Sequence, residues 1–292
     1  MKVIVTGGSG LIGTYVVDEL MKSKYEVLNF DIVEPKEKKS EFVKADMLNI
    51  DDCRRYLKGA DVIVHLAAIP NPFNDPPDRI MYYNVMGTAN IYVAASELGI
   101  KKIIHCSTDS TYGFWFRKQE FLPYYLPIDE EHPLNTQDSY GFSKKIDEEI
   151  AANFARSHNI YSWSIRIPFI AIPKIIMPFM IFYKISSYKE INENPLLLKS
   201  GFWAYCDVRD VAQGFRLAVD AITTRSVRKH EIFLICADDN ITKSDSLDLV
   251  KKHWTELIPL KKEIKGRQAL YDNSKAKMML GYKPKYTWKD FV

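Results

Sequence analysis

Short apolar runs and longer amphipathic stretches alternate along the first half of the chain. Lys2-Val3-Ile4-Val5-Thr6, Glu26–Asp31, Phe42–Asp46, Asp61–Leu66, Lys102–Ser107 and Tyr161–Ile167 each have the length of a strand. Asp61-Val62-Ile63-Val64-His65-Leu66 has almost no polar alternation, the pattern of a strand in a parallel sheet covered on both faces. Between these runs apolar residues recur with the helical period. Leu11, Ile12, Tyr15, Val16 and Leu20 share one side of a helix, and further helices are predicted over about 50–58, 78–98 and 139–157. Strands and helices in alternation predict an α/β fold, a doubly wound parallel sheet that is Rossmann-like in layout. Beyond about residue 168 the pattern turns irregular and proline-rich, with insertions around 173–200 and 238–290. The expected organisation is a sheet domain over 1–167 and a mixed part over 168–292. The second part would complete the sheet and add a smaller C-terminal substrate-binding lobe at the carboxyl edge of the strands, where ligands of such sheets bind.

The turn after the first strand carries the first chemistry. Thr6-Gly7-Gly8-Ser9-Gly10-Leu11-Ile12-Gly13 joins strand to helix. Here Gly7 permits a tight turn, Gly10 lets backbone approach a phosphate, and Gly13 lets the helix pack on the strand. The helix opens at Leu11 and Ile12, and its free N–H groups favour an anion. A dinucleotide is the expected ligand. Its identity is read at Asp31, which ends the second strand. A carboxylate at this place accepts hydrogen bonds from a ribose 2′-hydroxyl and repels the 2′-phosphate of NADP. NAD is therefore the expected cofactor. Lys36, Lys38 and Lys39 lie just downstream and could otherwise draw a phosphate, but Asp31 holds the deciding position.

Composition removes several alternatives. The 292 residues suit one large α/β domain or a domain with a smaller lobe, and 47% hydrophobic with 26% charged residues is ordinary for a globular protein. A dispersed formal net charge of +3 gives no reason to expect a nucleic-acid partner. Cys53, Cys106, Cys206 and Cys236 are widely spaced and read as reduced thiols of a cytoplasmic protein. The chain opens on a core strand, which leaves no room for a signal peptide. Ile165–Phe182 is strongly apolar, yet Arg166, Pro168, Pro173, Lys174 and Pro178 interrupt it. A spanning helix needs about 20 mostly uninterrupted apolar residues, so no membrane contact is expected. The six histidines are scattered, so no metal site is expected, and His65 reads as a satisfied core residue.

Tyr140-Gly141-Phe142-Ser143-Lys144 places Tyr140 and Lys144 one helical turn apart on one face. A free tyrosine has a pKa near 10, but a nearby ammonium would favour the phenolate. Tyr140 could then take a proton from a substrate hydroxyl while hydride leaves the same carbon. Tyr271 and Lys275 have the same spacing, with nothing around them in sequence that suggests a site. Context favours Tyr140, because the strand ending at Ser107 delivers Ser107-Thr108-Asp109-Ser110-Thr111-Tyr112-Gly113 to the carboxyl edge of the sheet. Thr108 is expected to hydrogen-bond the reacting oxygen.

With these residues the chain resembles the extended short-chain dehydrogenase/reductase family, in its sugar epimerase/dehydratase group. The likeness is carried by the glycine turn, Asp31, Asp46-Met47, His65-Leu66-Ala67-Ala68, Asn84-Val85-Met86-Gly87-Thr88, Ser107-Thr108 with Tyr112-Gly113, and Tyr140-x-x-x-Lys144. Tyr205–Ala212, Asp272–Ala276 and Leu280-Gly281-Tyr282-x-Pro284 fit as well. The resemblance implies an NAD-dependent enzyme with Thr108, Tyr140 and Lys144 as its catalytic set. It puts Asp46 and Met47 at the adenine, and Leu66, Ala67 and Ala68 along the cofactor. It also implies a homodimer paired through the helices over about 78–98 and 139–157. Ile91, Ala94, Ala95, Leu98, Ile146, Ile150 and Phe154 would face either that interface or the chain's own sheet.

Departures from the family pattern narrow the reaction. Sugar dehydratases carry a glutamate base where this chain has Ser110, which cannot remove a carbon-bound proton. Nucleotide-sugar epimerases usually have an asparagine shortly after the step matching Arg166, where this chain has Ile167-Pro168-Phe169-Ile170. They tend to have an arginine where Trp203 stands, and a further one before Asp272 at a wider spacing than Arg267; Arg209 or Arg267 could substitute. The pattern lies closer to dehydrogenases of free or singly phosphorylated sugars and uronates, which have a run similar to Gly113-Phe114-Trp115-Phe116-Arg117. Arg117 would there pair with a carboxylate or phosphate. Asp109, Arg117, Phe169, Trp203 and Arg209 are the candidate substrate residues. The expected function is an NAD-dependent sugar oxidoreductase, a dehydrogenase slightly ahead of a nucleotide-sugar 4-epimerase. The alternative from another class is a non-catalytic NAD-binding regulator.

Overall fold

The computed structural model describes residues 1–172, 187–225, 228–254 and 256–291. Seven strands form one sheet: β1 (Lys2–Thr6), β2 (Glu26–Asp31), β3 (Glu41–Lys44), β4 (Val62–His65), β5 (Lys102–Thr108), β6 (Tyr161–Ile167) and, late in the chain, His230–Leu234. Their order is β3-β2-β1-β4-β5-β6 followed by His230–Leu234, and every neighbouring pair is parallel. The chain runs outward from β1 to β3, returns to the centre, and runs outward the other way from β4. The carboxyl ends of β1 and β4, where Thr6 lies beside His65, therefore form the switch point of the sheet. A separate pair, Phe169–Ala171 with Tyr205–Asp207, lies outside the main sheet.

Alternate residues of one strand go to opposite faces, and both faces are covered. Val3 and Val5 join one buried cluster with Val16, Leu20, Val62 and Val64, packed under helix α1 (Leu11–Lys22) and the helix Val208–Thr224. Ile4 joins the other cluster with Leu28, Ile63, Ile91, Tyr92, Ala95 and Ala151. This two-sided burial is why the strands show so little polar alternation. A third, aromatic cluster of Tyr112, Phe114, Phe202, Trp203, Trp254 and Tyr271 ties the segment after β5 to the C-terminal part. The apolar run starting at Ile165 is described only to Ile172, and most of the 173–200 insertion's first half lies outside the described residues. Among the described residues no helix is long and apolar enough to cross a membrane.

The helix expected over about 78–98 is interrupted. It consists of α3 (Pro77–Met81), a π-helical turn Tyr82–Met86, and α4 (Gly87–Glu97), after the short α2 (Ile50–Tyr56). The wide turn holds the buried Asn84, whose Oδ1 accepts from Ile69 N at 2.8 Å and whose Nδ2 donates to Ser143 Oγ at 2.9 Å. That tertiary clamp joins the loop after β4 to α5 (Ser139–Ser157), and π-turns of this kind are common at functional sites. Asp138 caps α5 by accepting from Gly141 N at 2.8 Å.

Beneath the site a buried ion pair joins α5 to β6. Arg166 donates through Nε and Nη2 to Glu148 at 2.9 and 2.6 Å, and Ser107 Oγ donates to the same carboxylate at 2.6 Å. Arg166 Nη1 also reaches the Tyr112 hydroxyl and Glu130 O. The charge is buried but each of the three guanidinium nitrogens donates, which is the condition for tolerating it.

Candidate active site

At the switch point the backbone leaves room that any side chain would fill. Gly7 has φ +72°, and a Cβ there would stand 2.6 Å from Ala67 N; a Cβ on Gly13 would stand 2.1 Å from the Gly7 carbonyl oxygen. A cavity of about 270 Å³ results, and Gly7, Gly10, Asp31, Leu66, Ala67 and Ala68 all line it. Six of the residues read from the sequence as cofactor contacts are thus brought together from β1, β2 and β4. Asp31 accepts from Ser9 N at 2.9 Å and from Val33 N at 3.0 Å, which aims the carboxylate along the turn. Two of the downstream lysines are otherwise engaged, Lys38 with Glu34 and Lys39 with Asp18 and Glu37.

The remaining cofactor candidates divide. Leu11 is exposed at the start of α1, and Ile12 lines the next cavity along. Asp46 turns its carboxylate to Leu48 N at 2.9 Å, and with Asp31 it helps raise the pKa of Tyr83, a wall of the cavity, to about 12, chiefly through burial. Met47 is corrected. Its side chain is buried against Gly87, where even a Cβ would come within 2.5 Å of it, so it packs under α4 rather than facing the cavity.

The second cavity, about 120 Å³, is built where β5 ends. Thr108 caps a single 3-10 turn, Asp109–Tyr112, and its Oγ1 accepts from Ser110 N at 3.1 Å. Gly141 lets α5 lie on that turn, since a Cβ there would meet Ser110 O at 2.6 Å. The first turn of α5 thereby carries Tyr140 to Thr108, its hydrogen-bonding neighbour, and both line the cavity with Ile12, Asp109, Trp115 and Phe169. Burial pushes the Tyr140 phenol well above its ordinary pKa, while the Thr108 contact acts in the opposite direction.

Two features of this corner differ from expectation. Lys144 shares the face of Tyr140, but its ammonium donates to Asp147 Oδ2 and His105 Nε2, both at 2.8 Å. The ammonium is thus held in a buried pairing on α5 and β5 that the spacing did not indicate. Tyr271, which looked remote, donates to Asp109 Oδ2 at 3.2 Å. Trp115 Nε1 donates to the same oxygen at 2.6 Å, and Thr108 Oγ1 lies 3.3 Å from Oδ1. Burial nevertheless dominates and pushes Asp109 up to about 7.

Of the candidate substrate residues, Asp109 and Phe169 line the cavity. The other three have partners within the protein. Trp203 is fully buried in the aromatic cluster and donates to Pro195 O at 2.6 Å. Arg117 bonds Phe114 O and Glu120 beside the cavity walls, and Arg209 forms a two-point pair with Asp207 and lies over the Tyr286 ring. Arg267 likewise pairs with Asp239. Sequence reasoning missed Trp115 as a carboxylate donor, and missed His105 and Asp147. Only the spacing of Asp147, three residues after Lys144 on a helix, hinted at contact.

Comparison with known proteins adds four findings. Residues 3–236 match the model of the NAD dependent epimerase/dehydratase family. A putative UDP-glucose 4-epimerase of Methanocaldococcus jannaschii is 35% identical over 167 residues, 54% of this chain and 52% of that protein. A uronate dehydrogenase of Pseudomonas putida is 26% identical over 170 residues, 57% of this chain and 60% of that protein. The matched stretches thus span about half to three fifths of these relatives. The crystal structure of a UDP-glucose 4-epimerase from Thermotoga maritima with UDP-glucose superposes with a TM-score of 0.73 at 22% identity, covering 100% of this chain and 96% of that one. That likeness concerns the fold.

Proposed function

The chain belongs to the NAD dependent epimerase/dehydratase family, and from that premise we propose that it is a sugar oxidoreductase with Thr108, Tyr140 and Lys144 as its catalytic set. Gly7, Gly10, Asp31, Leu66, Ala67 and Ala68 would hold NAD, the family's cofactor, which when bound supplies a hydride acceptor beside the second cavity. Tyr140 would take the proton of a substrate hydroxyl, with Thr108 holding the oxygen. Raised by burial, the phenol needs a positive neighbour to act as a base at neutral pH. Lys144 is the cation closest in sequence on that face, and its third N–H is free of Asp147 and His105.

The observation that carries the substrate reading is Asp109. A buried carboxyl group lines the cavity, and no Lys or Arg is among the described residues that do. A neutral sugar hydroxyl suits this wall, which offers a uronate or phosphate group no cation to pair with. We favour a dehydrogenase acting at a neutral sugar carbon. The second reading, a nucleotide-sugar 4-epimerase, is supported by the names of the relatives. Incubation with NAD and a panel of free sugars, uronates, sugar phosphates and nucleotide sugars tests both. A dehydrogenase accumulates NADH with its oxidised product; an epimerase interconverts a nucleotide sugar with no NADH in solution; inertness toward the whole panel would overturn both.

We further propose a homodimer in the cytoplasm, on the residues 1–167 and 168–292 organisation given above. The four cysteines are free, which fits a reducing compartment. The pairing residues differ from the initial selection, because Ile91, Ala94 and Ala95 are buried against the chain's own sheet. Tyr82, Met86 and Phe142 are the exposed large side chains on the same helices. Light scattering giving a monomer at micromolar concentration would refute the dimer.

A further inference from the structure

The lysine of the catalytic set sits in a buried polar column that the reaction scheme leaves unused. His65 is held by Thr6 Oγ1 at 2.6 Å and Thr88 Oγ1 at 3.1 Å, and its ring stacks on His105 at 5.6 Å between centroids. His105 Nε2 in turn receives the Lys144 ammonium at 2.8 Å, and Asp147 Oδ2 receives it at the same distance. His105 and Asp147 are fully buried, and Lys144 is 3% exposed. An ammonium has no acceptor to offer, so Nε2 must be the lone-pair nitrogen and the ring proton must sit on Nδ1, which faces Ser164 Oγ. His105 is thus a neutral acceptor, and burial holds both histidines below their ordinary pKa.

Asp147 is costly where it stands. One oxygen is committed to the ammonium, and the other, Oδ1, is buried with no hydrogen-bond partner among the described residues. Packing alone would be served better by an apolar residue facing β5. What the carboxylate adds is a fixed negative charge against Lys144.

We propose that Asp147 and His105 are positioning residues for Lys144: together they take two of its three N–H bonds, fix where its nitrogen stands, and leave the third N–H for the cofactor side of the site. This rests on the role given to Lys144 above. The titratable groups facing the column are Asp147 and Glu148 on α5, His105 and Cys106 on β5, His65 on β4 and Tyr92 on α4. Glu148 is neutralised by Arg166, which leaves Asp147 as the counter-charge of Lys144.

The test is NAD affinity of the full chain by calorimetry from pH 6 to 10, for wild type, Asp147→Asn, His105→Gln and His105→Phe. Asp147→Asn removes the counter-charge that holds Lys144 in place at constant shape, so it should bind NAD about tenfold more weakly than wild type. His105→Gln keeps an acceptor and should follow the wild-type profile, whereas His105→Phe should bind about tenfold more weakly at every pH. Should Asp147→Asn fail to fold, the glutamine–phenylalanine contrast decides alone. Folded Asp147→Asn and His105→Phe proteins with wild-type affinity across the range would overturn the proposal. Because no sugar is present, a chain that shows these effects yet oxidises no sugar would refute the substrate reading and leave this one standing.

Discussion

Replacing Asp109 by asparagine should stabilise the protein at pH 8 and do so less at pH 5. The carboxyl group is 2% exposed and, despite donors from Trp115 and Tyr271, burial raises its pKa from 3.8 to about 7. A group whose folded pKa is raised favours the fold in its protonated form. Its contribution is fully present below pH 3.8, falls as the unfolded chain ionises, and is lost by about pH 7. Each unit of that window corresponds to about 1.36 kcal/mol. Between pH 5 and 7 wild type should therefore lose about 2 kcal/mol relative to Asp109→Asn, which does not titrate. The asparagine carbonyl can still accept from Trp115 Nε1 and Tyr271, so little packing is lost. Urea unfolding of both proteins at pH 5, 6, 7 and 8 gives the difference directly, and titrations elsewhere in the chain cancel between them. A stability difference that stays flat, or that moves toward wild type with rising pH, would refute the reasoning. The same variant should bind its sugar more weakly if a hydroxyl donates to Asp109, so stability gained and affinity lost would appear together.

Three further outcomes follow from the site. Tyr140→Phe should keep NAD affinity within about twofold but lose turnover by roughly 10²–10⁴-fold; near-wild-type turnover removes Tyr140 as the base. Tyr271→Phe removes a donor to Asp109. A hydrogen bond to a charged group contributes about 1.5–3 kcal/mol, so the midpoint of the Asp109 effect on urea stability should move up by at least about one pH unit. Arg166→Met should cost about 3–5 kcal/mol in urea unfolding by stranding Glu148, and Arg166→Met with Glu148→Leu should recover most of it; a single-variant loss below about 1 kcal/mol would show that the pair carries little net stability.

Several elements were legible because their causes are local. The strand Tyr161–Ile167 and the helix Ser139–Ser157 stand where the pattern puts them, the helix starting at an Asp138 cap only one residue before it. The helix over 77–97 was legible as a helix but not as an interrupted one, because Asn84 is drawn into the turn by Ile69 and Ser143, and Ser143 lies 59 residues away. Trp203 and Arg209 show what position along the chain leaves out. Matching by position placed them at the substrate, but Trp203 is consumed by the aromatic core and Arg209 by Asp207.

The residue pattern by itself determined the α/β alternation, the glycine turn and the Tyr140–Lys144 face. Each depends on the backbone period and on steric freedom within a dozen residues or so, and these act before any distant part of the chain arrives. The tertiary structure alone decided which charges are spent and which remain available. Lys144 meets His105 across 39 residues, and Tyr271 meets Asp109 across 162. Protonation and hydrogen bonding depend on burial and on separations of about 3 Å, and no spacing along the chain specifies either until the sheet has brought its strands together.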